Sequence, residues 1–569
     1  MRLFAIFAAL ALAGDAAERR TVTVLATTDL HGNIYPVDYA TGRPAPRGLA
    51  RMATLIAAVR RENLATVLID CGDTIQGSPL EFVYQTIVRT GRGPLDLQPS
   101  RPLERDPMMA VMNQLGYAAM AVGNHEYNFG LKCLNRARAD ASFPWLSANT
   151  EVAPGGGDKP FDAYVVTSVG GVRVAIVGLI TPAVPAWEKP ENMGSYRFLP
   201  PVEPARRAVE KARREGRADL VVVAAHMGLA RNRATGALES TPEDPALDVA
   251  RQVAGIDAMV IGHDHQELSG ERIGKVLVMQ PKNWGFSLAR LDFTLEMRGG
   301  RWTPVSAASR LLPVKDRAPA DAAILDLARP YHELAERYLA TPVAVADQAL
   351  EGTFGRVEDT PLVDAIQAVQ LYYSKADVSL TSMFNTRARV PRGPVTVRQI
   401  VALYPYDNEL YVIEATGRIL REALENAARY FVSCQGETCA GPPLINRAVT
   451  GFNYDMAQGV EYEIDLTGPA GSRVRNLRWH GRPLAPEQKL RLALNNYRAA
   501  GSAGYEMFRG ATVLWQSGEE IRDLMVRYFT ARKQFPVAAD GNWRIVPDAA
   551  RETLKRQAVA EAGRPSENQ

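Results

Sequence analysis

The chain carries almost no net charge for its length. Its 66 Lys and Arg against 63 Asp and Glu leave +3 over 569 residues, which gives no argument for a surface that binds a nucleic-acid polymer. Long apolar runs are scarce as well: beyond the first 13 residues no stretch is long and apolar enough to span a bilayer, so no stable membrane anchor is expected. Low-complexity tracts are lacking, and a 46% hydrophobic content is ordinary for a globular protein. Cysteine is rare, with four in all. Cys434 and Cys439 lie in the polar segment Cys434-Gln-Gly-Glu-Thr-Cys439, where an exported chain could close a small disulfide loop, while Cys71 and Cys133 sit in apolar contexts and read as buried thiols. Histidine is nearly as scarce, with seven, and five of those fall in one series of short polar motifs.

A chain of this length is too long for one core, and two domains plus a connector follow. Residues 1–17 have a basic Arg2, an apolar run from Leu3 to Ala13 and small residues near the end. That is the pattern of a secretory signal peptide, which places the mature chain in the periplasm or outside the cell. From 21 to 315 strand-like and helix-like stretches alternate. Strands are expected at Thr21–Ala26, Ala65–Asp70, Ala118–Val122, Ala163–Val169, Val172–Leu179, Leu220–Ala225 and Ala258–Ile261, and helices at 48–60, 106–115, 202–215 and 245–253. Gly170-Gly171 makes a tight hairpin turn. The fold class is α/β, with sheet packed on sheet and helices outside. Residues 316–340 form a helical linker, 341–546 repeat the α/β pattern in a second domain, and 549–569 are a charged tail expected to fray.

The polar motifs follow the apolar strands. Asp29 and His31 come after the first, Asp73 after the second through Cys71-Gly72, and Asn124 and His125 after Ala118–Val122 through Gly123. His226 ends Leu220–Ala225, and His263 and His265 follow Ala258–Ile261 through Gly262. In an α/β sheet, ligands collect beyond the carboxyl ends of the strands. Asp29 and His31 are two apart, as are His263 and His265, and an extended backbone would put each pair on one face. A lone histidine is usually a satisfied core or surface residue, but this set is what a two-metal hydrolase needs. Mixed imidazole and oxygen donors suit Zn, Mn, Fe or Co.

These motifs resemble the calcineurin-like metallophosphoesterases. The segments that carry the likeness are Leu25-Ala-Thr-Thr-Asp29-Leu-His31-Gly, Gly72-Asp73, Gly123-Asn-His-Glu126 and Gly262-His-Asp-His265. Within that superfamily the chain is similar to the bacterial 5′-nucleotidase and 2′,3′-cyclic-nucleotide 2′-phosphodiesterase/3′-nucleotidase family. The resemblance implies a four-layer αββα N-terminal sandwich and a separate C-terminal α/β nucleotide-binding domain joined by a helix. It also implies two divalent metal ions, one held by Asp29, His31 and His265, the other by Asn124, His226 and His263, with Asp73 bridging. Hydrolysis would proceed by metal-activated hydroxide attack on phosphorus, and His125 would stabilise charge on the phosphoryl group. The 5′-nucleotidases carry Asp three residues after that histidine, where this chain has Asn128. That departure, with Asp70–Pro79 and Trp187-Glu-Lys189, resembles the cyclic-phosphodiesterase branch.

In the second domain, Leu403-Tyr-Pro-Tyr406 and Asn495-Asn-Tyr497-Arg498 each place an aromatic residue in a turn. The resemblance implies that Tyr406 and Tyr497 sandwich the base, that Asn408 hydrogen-bonds the nucleoside and that Arg387 binds phosphate, whereas Tyr404 packs. The base-contacting acid of the 5′-nucleotidases is missing from Gly501-Ser-Ala503-Gly504-Tyr505. The expected function is therefore that of an exported monomeric phosphoesterase acting on 2′,3′-cyclic and 3′-nucleotides. The alternatives are a 5′-nucleotidase or nucleotide-sugar hydrolase and, more remotely, a nucleotide-binding protein without catalysis. The last predicts damaged ligand positions, and all seven hold a competent residue.

Overall fold

The computed structural model describes residues 18–231, 237–406, 408–441 and 443–562. The expected signal peptide at 1–17 and the last seven residues of the expected tail lie outside them. The chain divides into two compact units. The first comprises most residues up to His332. The second runs from Glu333 onward and also takes Asp38–Pro44 and Pro94–Gln98.

Two six-stranded sheets organise the first unit. In chain order the strands of these two sheets are β1 (Arg19–Thr27), β2 (Thr66–Asp70), β3 (Ala119–Ala121), β4 (Trp145–Leu146), β5 (Tyr164–Val169), β6 (Val172–Ile180), β7 (Leu220–His226), β8 (Ala258–Ile261), β9 (Leu268–Ile273), β10 (Val276–Gln280), β11 (Ser287–Arg298) and β12 (Arg301–Pro313). One sheet has the spatial order β12-β11-β1-β2-β3-β4 and the other β9-β10-β8-β7-β6-β5. β1 to β4 are parallel, as are β6, β7, β8 and β10, and the antiparallel strands stand toward the edges.

Side-chain alternation explains the layering. Val22, Val24 and Ala26 of β1 meet Val174 and Ile176 of β6 and Val222 and Ala224 of β7 in the core between the sheets. The intervening residues Ala175, Val177, Val221 and Val223 face outward onto helices Val202–Arg214 and Ala246–Gln252, through Ala205, Val209 and Leu247. A strand buried on both faces reads as a continuous apolar run, which is why Val172–Leu179 shows no polar alternation beyond Arg173. Helix Leu49–Glu62 packs against β11 on the far side of the first sheet, completing the αββα order. Two further helices are sharply bounded. Pro79–Thr90 starts at Ser78, whose hydroxyl accepts from the Glu81 N–H, and ends at a left-handed Gly91. Pro107–Leu115 starts at Asp106, capping Met109, and ends at Gly116.

Helix Ala322–Ala340 carries the boundary between the units within its own length. The second unit is built on a five-stranded sheet, ordered Asp455–Gln458, Val378–Ser382, Lys489–Asn495, Glu409–Thr416 and Val513–Glu520. Cys434 and Cys439 are joined by a disulfide, and Cys71 and Cys133 are free and buried. The expectation of a fraying tail is corrected: Asp548–Ala562 is a helix. Ala550, Thr553 and Leu554 bury one stripe of it, and Lys555 pairs with Glu358 at 2.6 Å. Charged residues on its outer face hid that stripe.

Candidate metal centre

Every expected ligand of the first unit sits at or just beyond the carboxyl end of a parallel strand. Asp29 and His31 follow β1, Asp73 follows β2, Asn124 follows β3, His226 ends β7, and His263 and His265 follow β8. The backbone there is not extended. Asp29, His31, Asp73, His263 and His265 have φ of 50°, 47°, 58°, 80° and 55°, in the left-handed region that opposes an L side chain by about 1–2 kcal/mol each. Such strain persists only where the surroundings enforce it, and it collects at functional sites. Asp29 and His31, two apart, do come together, but through left-handed turns and not an extended backbone; for His263 and His265 the expectation of a shared face is corrected. The turns separate His263 from His265 and send them to different clusters.

The first cluster is Asp29, His31 and His265, with His31 Nε2 3.1 Å from His265 Nε2. The second is Asp73, His226 and His263, with Asn124 Oδ1 3.1 Å from His226 Nε2. Asp73 reaches toward both, its Oδ2 lying 2.9 Å from His226 Nε2 and 3.9 Å from His31 Nε2.

The hydrogen-bond pattern calls for a cation. His31 Nδ1 donates to the Gln76 carbonyl at 3.0 Å and His226 Nδ1 to the Cys71 carbonyl at 2.8 Å. Carbonyls only accept, so each neutral ring keeps a lone pair on Nε2. His226 aims that lone pair at two more acceptors, Asp73 Oδ2 and Asn124 Oδ1. Acceptors converging on acceptors need a proton or a metal ion between them, and backbone carbonyls that fix the ring tautomer are the usual support of metal-bound histidines. The electrostatics agree. Burial opposes charge on His226, but Asp73 overrides it and raises the imidazole to about 10. Burial dominates at His31 and lowers it to about 4. Burial also opposes ionisation of Asp29 and Asp73, yet the surrounding imidazoles hold both carboxyls well below the usual range.

Glu126, part of the Gly123-Asn-His-Glu motif but assigned no role from sequence, ties the loops together. Its carboxylate accepts from the backbone N–H of Asp73 (2.9 Å), Thr74 (2.6 Å), Ile75 (3.3 Å) and Gly123 (2.6 Å). The signal was an acid beside the ligand loop, but three of its four donors come from another loop about 50 residues earlier. Two glycines leave no room for a side chain. A Cβ on Gly123 would lie 2.2 Å from Asp73 Oδ1, and one on Gly262 would lie 2.0 Å from Thr28 Oγ1 and 2.8 Å from Asp29 Oδ2.

His125 stands apart from the two clusters. Its backbone N–H donates to Asp73 Oδ1 at 2.9 Å, and its Nε2 lies 3.9 Å from Asp73 Oδ2 on the partly exposed side of the centre. Its Nδ1 contacts Asn128 Oδ1, and Asn128 Nδ2 donates to Glu188 Oε2 at 2.6 Å. Trp187 packs 5.5 Å from the His263 ring, and His263 Nε2 faces Glu243 Oε1 at 3.2 Å. Sequence reading found Trp187-Glu-Lys189 only as a likeness and missed Glu243.

In the second unit, Tyr406 precedes strand Glu409–Thr416 and Tyr497 lies in the short helix after strand Lys489–Asn495. These strands are antiparallel neighbours with Leu410 opposite Asn495, so both tyrosines emerge at one end of the sheet. The Glu409 N–H donates to Asn496 Oδ1 at 3.2 Å across the two turns. Tyr406 is 40% exposed and Tyr497 39%, large values for rings seated on a sheet end. Phe452, also exposed, stands 6.3 Å from the Tyr406 ring and was not foreseen. Arg498, buried on Asp455 at 2.7 Å, lies 5.7 Å from the Tyr497 ring and anchors that turn. Tyr404 is fully buried, as expected. Asn408 is half-buried just after Tyr406, and its carbonyl accepts from the Ile521 N–H at 2.8 Å. Arg387 is exposed in the turn after strand Val378–Ser382, and Arg389 faces Glu351 at 3.7 Å. Tyr505, in the segment without the acid, is buried with its hydroxyl on the Asn453 carbonyl.

Comparison with known proteins matches residues 22–267 to the family described as calcineurin-like phosphoesterase and residues 342–510 to the 5′-nucleotidase C-terminal domain. The trifunctional nucleotide phosphoesterase protein YfkN of Bacillus subtilis is 27% identical, over 94% of this chain but only 39% of that protein's own length. The 2′,3′-cyclic-nucleotide 2′-phosphodiesterase/3′-nucleotidase of Yersinia enterocolitica is 28% identical over 94% of this chain and 90% of its own. The crystal structure of a 5′-nucleotidase precursor from Thermus thermophilus superposes with a TM-score of 0.62 at 25% identity, covering 93% of this chain and 99% of that one.

Proposed function

The chain belongs to the calcineurin-like metallophosphoesterases that carry a 5′-nucleotidase C-terminal domain, and from that premise we propose that it is a 2′,3′-cyclic-nucleotide 2′-phosphodiesterase with 3′-nucleotidase activity. It is a phosphoric ester hydrolase. The observation that carries the chemistry is the convergence of His226 Nε2, Asp73 Oδ2 and Asn124 Oδ1, three acceptors with no proton donor among them when the ring is neutral.

On this reading Asp29, His31 and His265 would hold one divalent cation and Asn124, His226 and His263 the other, and Asp73, which reaches toward both clusters, would contribute to holding them. Zn, Mn, Fe and Co fit the mixed donor set. When bound, such a pair polarises phosphoryl oxygens and lowers the pKa of a bound water toward neutrality. The chain's own residues do the rest. The Gln76 and Cys71 carbonyls fix the ring orientations, and Glu126 holds the loops of Asp73 and Asn124 in register. His125, held by Asn128, presents Nε2 to a phosphoryl oxygen and stabilises its charge. Tyr406 and Tyr497 bind the base between their faces, Asn408 bonds the nucleoside and Arg387 pairs with phosphate. The similarity to the Yersinia protein along nearly both whole chains supports the cyclic substrate, as does Asn128 in the place of a dyad aspartate.

The reading includes export. The Cys434–Cys439 disulfide supports it, since such bonds persist in oxidising compartments. Among the described residues no helix is long and apolar enough to cross a membrane.

A second reading is 5′-nucleotidase activity, favoured by the fold shared with the Thermus protein. Measuring kcat/KM on 2′,3′-cyclic AMP, 3′-AMP and 5′-AMP separates the two. The cyclic and 3′ substrates should lead by at least tenfold, and a comparable lead for 5′-AMP would overturn the choice.

A further inference from the structure

Glu188 reaches the centre from a segment that shares no loop with the expected ligands. It follows the short turn Val184–Ala186 and is buried, and among the described residues the three donors to its carboxylate are all amides: Asn128 Nδ2 at 2.6 Å, Asn192 Nδ2 at 2.8 Å and the Lys189 N–H at 2.8 Å. Asn192 also donates to the Asn128 carbonyl at 3.2 Å, so the Asn128 residue is gripped at both its backbone and its side chain.

The chemistry of an amide makes this grip directional. Asn128 alone could turn either its oxygen or its NH₂ toward His125, and the imidazole could answer with either tautomer. A carboxylate only accepts. With Glu188 on one side, the Asn128 NH₂ must face Glu188 and its oxygen must face His125. The oxygen accepts, so His125 Nδ1 must carry the hydrogen, and Nε2 is the atom left to face the reaction. We infer that Glu188 is a positioning residue for phosphoryl transfer, setting the tautomer and orientation of His125 through the Asn128 amide. The relay places a buried negative charge one amide away from the imidazole, where bonds in series strengthen one another. It does through Asn128 what a carboxylate in direct contact would do, and it accounts for a neutral residue at 128. The inference rests on the phosphoesterase reading but not on the identity of the nucleotide.

Two readouts that use no nucleotide test it. The first is hydrolysis of bis(p-nitrophenyl) phosphate by the zinc-loaded full chain. Glu188→Gln keeps the size, but the two donors Lys189 N–H and Asn192 Nδ2 claim its single amide oxygen and turn its NH₂ toward Asn128, so it should lower kcat at least tenfold with KM within twofold and zinc content unchanged. Combining it with Asn128→Asp should restore kcat to within about threefold of wild type, because a carboxylate then accepts directly from Nδ1. The second is the tautomer itself, read from ¹⁵N-histidine NMR of the same full chain, with His125 assigned by the signals lost in His125→Gln. Wild type should show Nδ1 protonated and Nε2 bare, and Glu188→Gln should mix the tautomers. A wild-type kcat in Glu188→Gln, a double variant no faster than the single one, or an unchanged tautomer would overturn the inference. If wild type hydrolyses the diester but no nucleotide, the substrate assignment fails alone.

Discussion

His226 Nε2 and Asp73 Oδ2 face each other across 2.9 Å, and the His226 ring has no hydrogen to place between them while it is neutral, because Nδ1–H is held by the Cys71 carbonyl. The contact is attractive only with a proton or a cation at Nε2. That alternative gives the metal centre a signature visible in folding as well as in catalysis.

In metal-free protein, Asp73 raises His226 to about 10, above its ordinary value of 6.5. A group whose pKa is raised by folding stabilises the native state fully below its unfolded pKa and loses that contribution as the pH climbs through the folded value. The chelated protein should therefore lose Tm steadily between pH 7 and 10. Metal-loaded protein should show a flatter profile over the same window, since the cation replaces the proton. Thermal melts with and without chelator check this, and parallel profiles would contradict it.

Glu126 accepts from four backbone N–H groups. Glu126→Ala should destabilise the protein by about 3 kcal/mol or more, the penalty for buried donors left unsatisfied. Because those donors belong to the loops of Asp73 and Asn124, bound metal should fall as well. Urea unfolding with metal analysis of the folded fraction measures both.

Gly123 and Gly262 leave space for the ligands beside them. Gly123→Ala should displace Asp73 and lower kcat at least a hundredfold while the circular dichroism spectrum stays native. Gly157→Ala, at a position that like Gly123 lacks a positive φ and where a Cβ would meet nothing within 4 Å, serves as the control for an added methyl.

Tyr406→Ala and Tyr497→Ala should each raise KM for a nucleotide by about ten- to a hundredfold, the equivalent of about 1–3 kcal/mol per stacked face. Hydrolysis of bis(p-nitrophenyl) phosphate, which carries no base, should change less than twofold. Equal losses on both substrates would place the tyrosines in folding instead of recognition.

The sheets were legible because both signals were local. β6 is an apolar run broken only by Arg173, and β7 is an apolar run that ends on His226, a residue type with no ordinary place in a core. The same logic located Asp29, His31, Asp73, Asn124, His226, His263 and His265. It failed on their backbone, since left-handed φ at five of them follows from neighbouring loops and not from any pattern in the chain. Glu126, Glu188 and Glu243 were given no role of their own for a related reason: a glutamate's part is hidden until its distant partners, Asp73 and Thr74 for Glu126, Asn128 for Glu188 and His263 for Glu243, are in place. The tail helix was lost in its charges, because Ala550, Thr553 and Leu554 make too narrow a stripe to stand out.

The central claim is that this metal centre opens a cyclic nucleotide and then frees its phosphate. Following 2′,3′-cyclic AMP by ³¹P NMR in the presence of the metal-loaded protein tests it most directly. The account predicts that the cyclic diester gives way to 3′-AMP, that inorganic phosphate follows, and that a chelator stops both steps. A cyclic diester that persists unchanged while 5′-AMP is hydrolysed under the same conditions would contradict it.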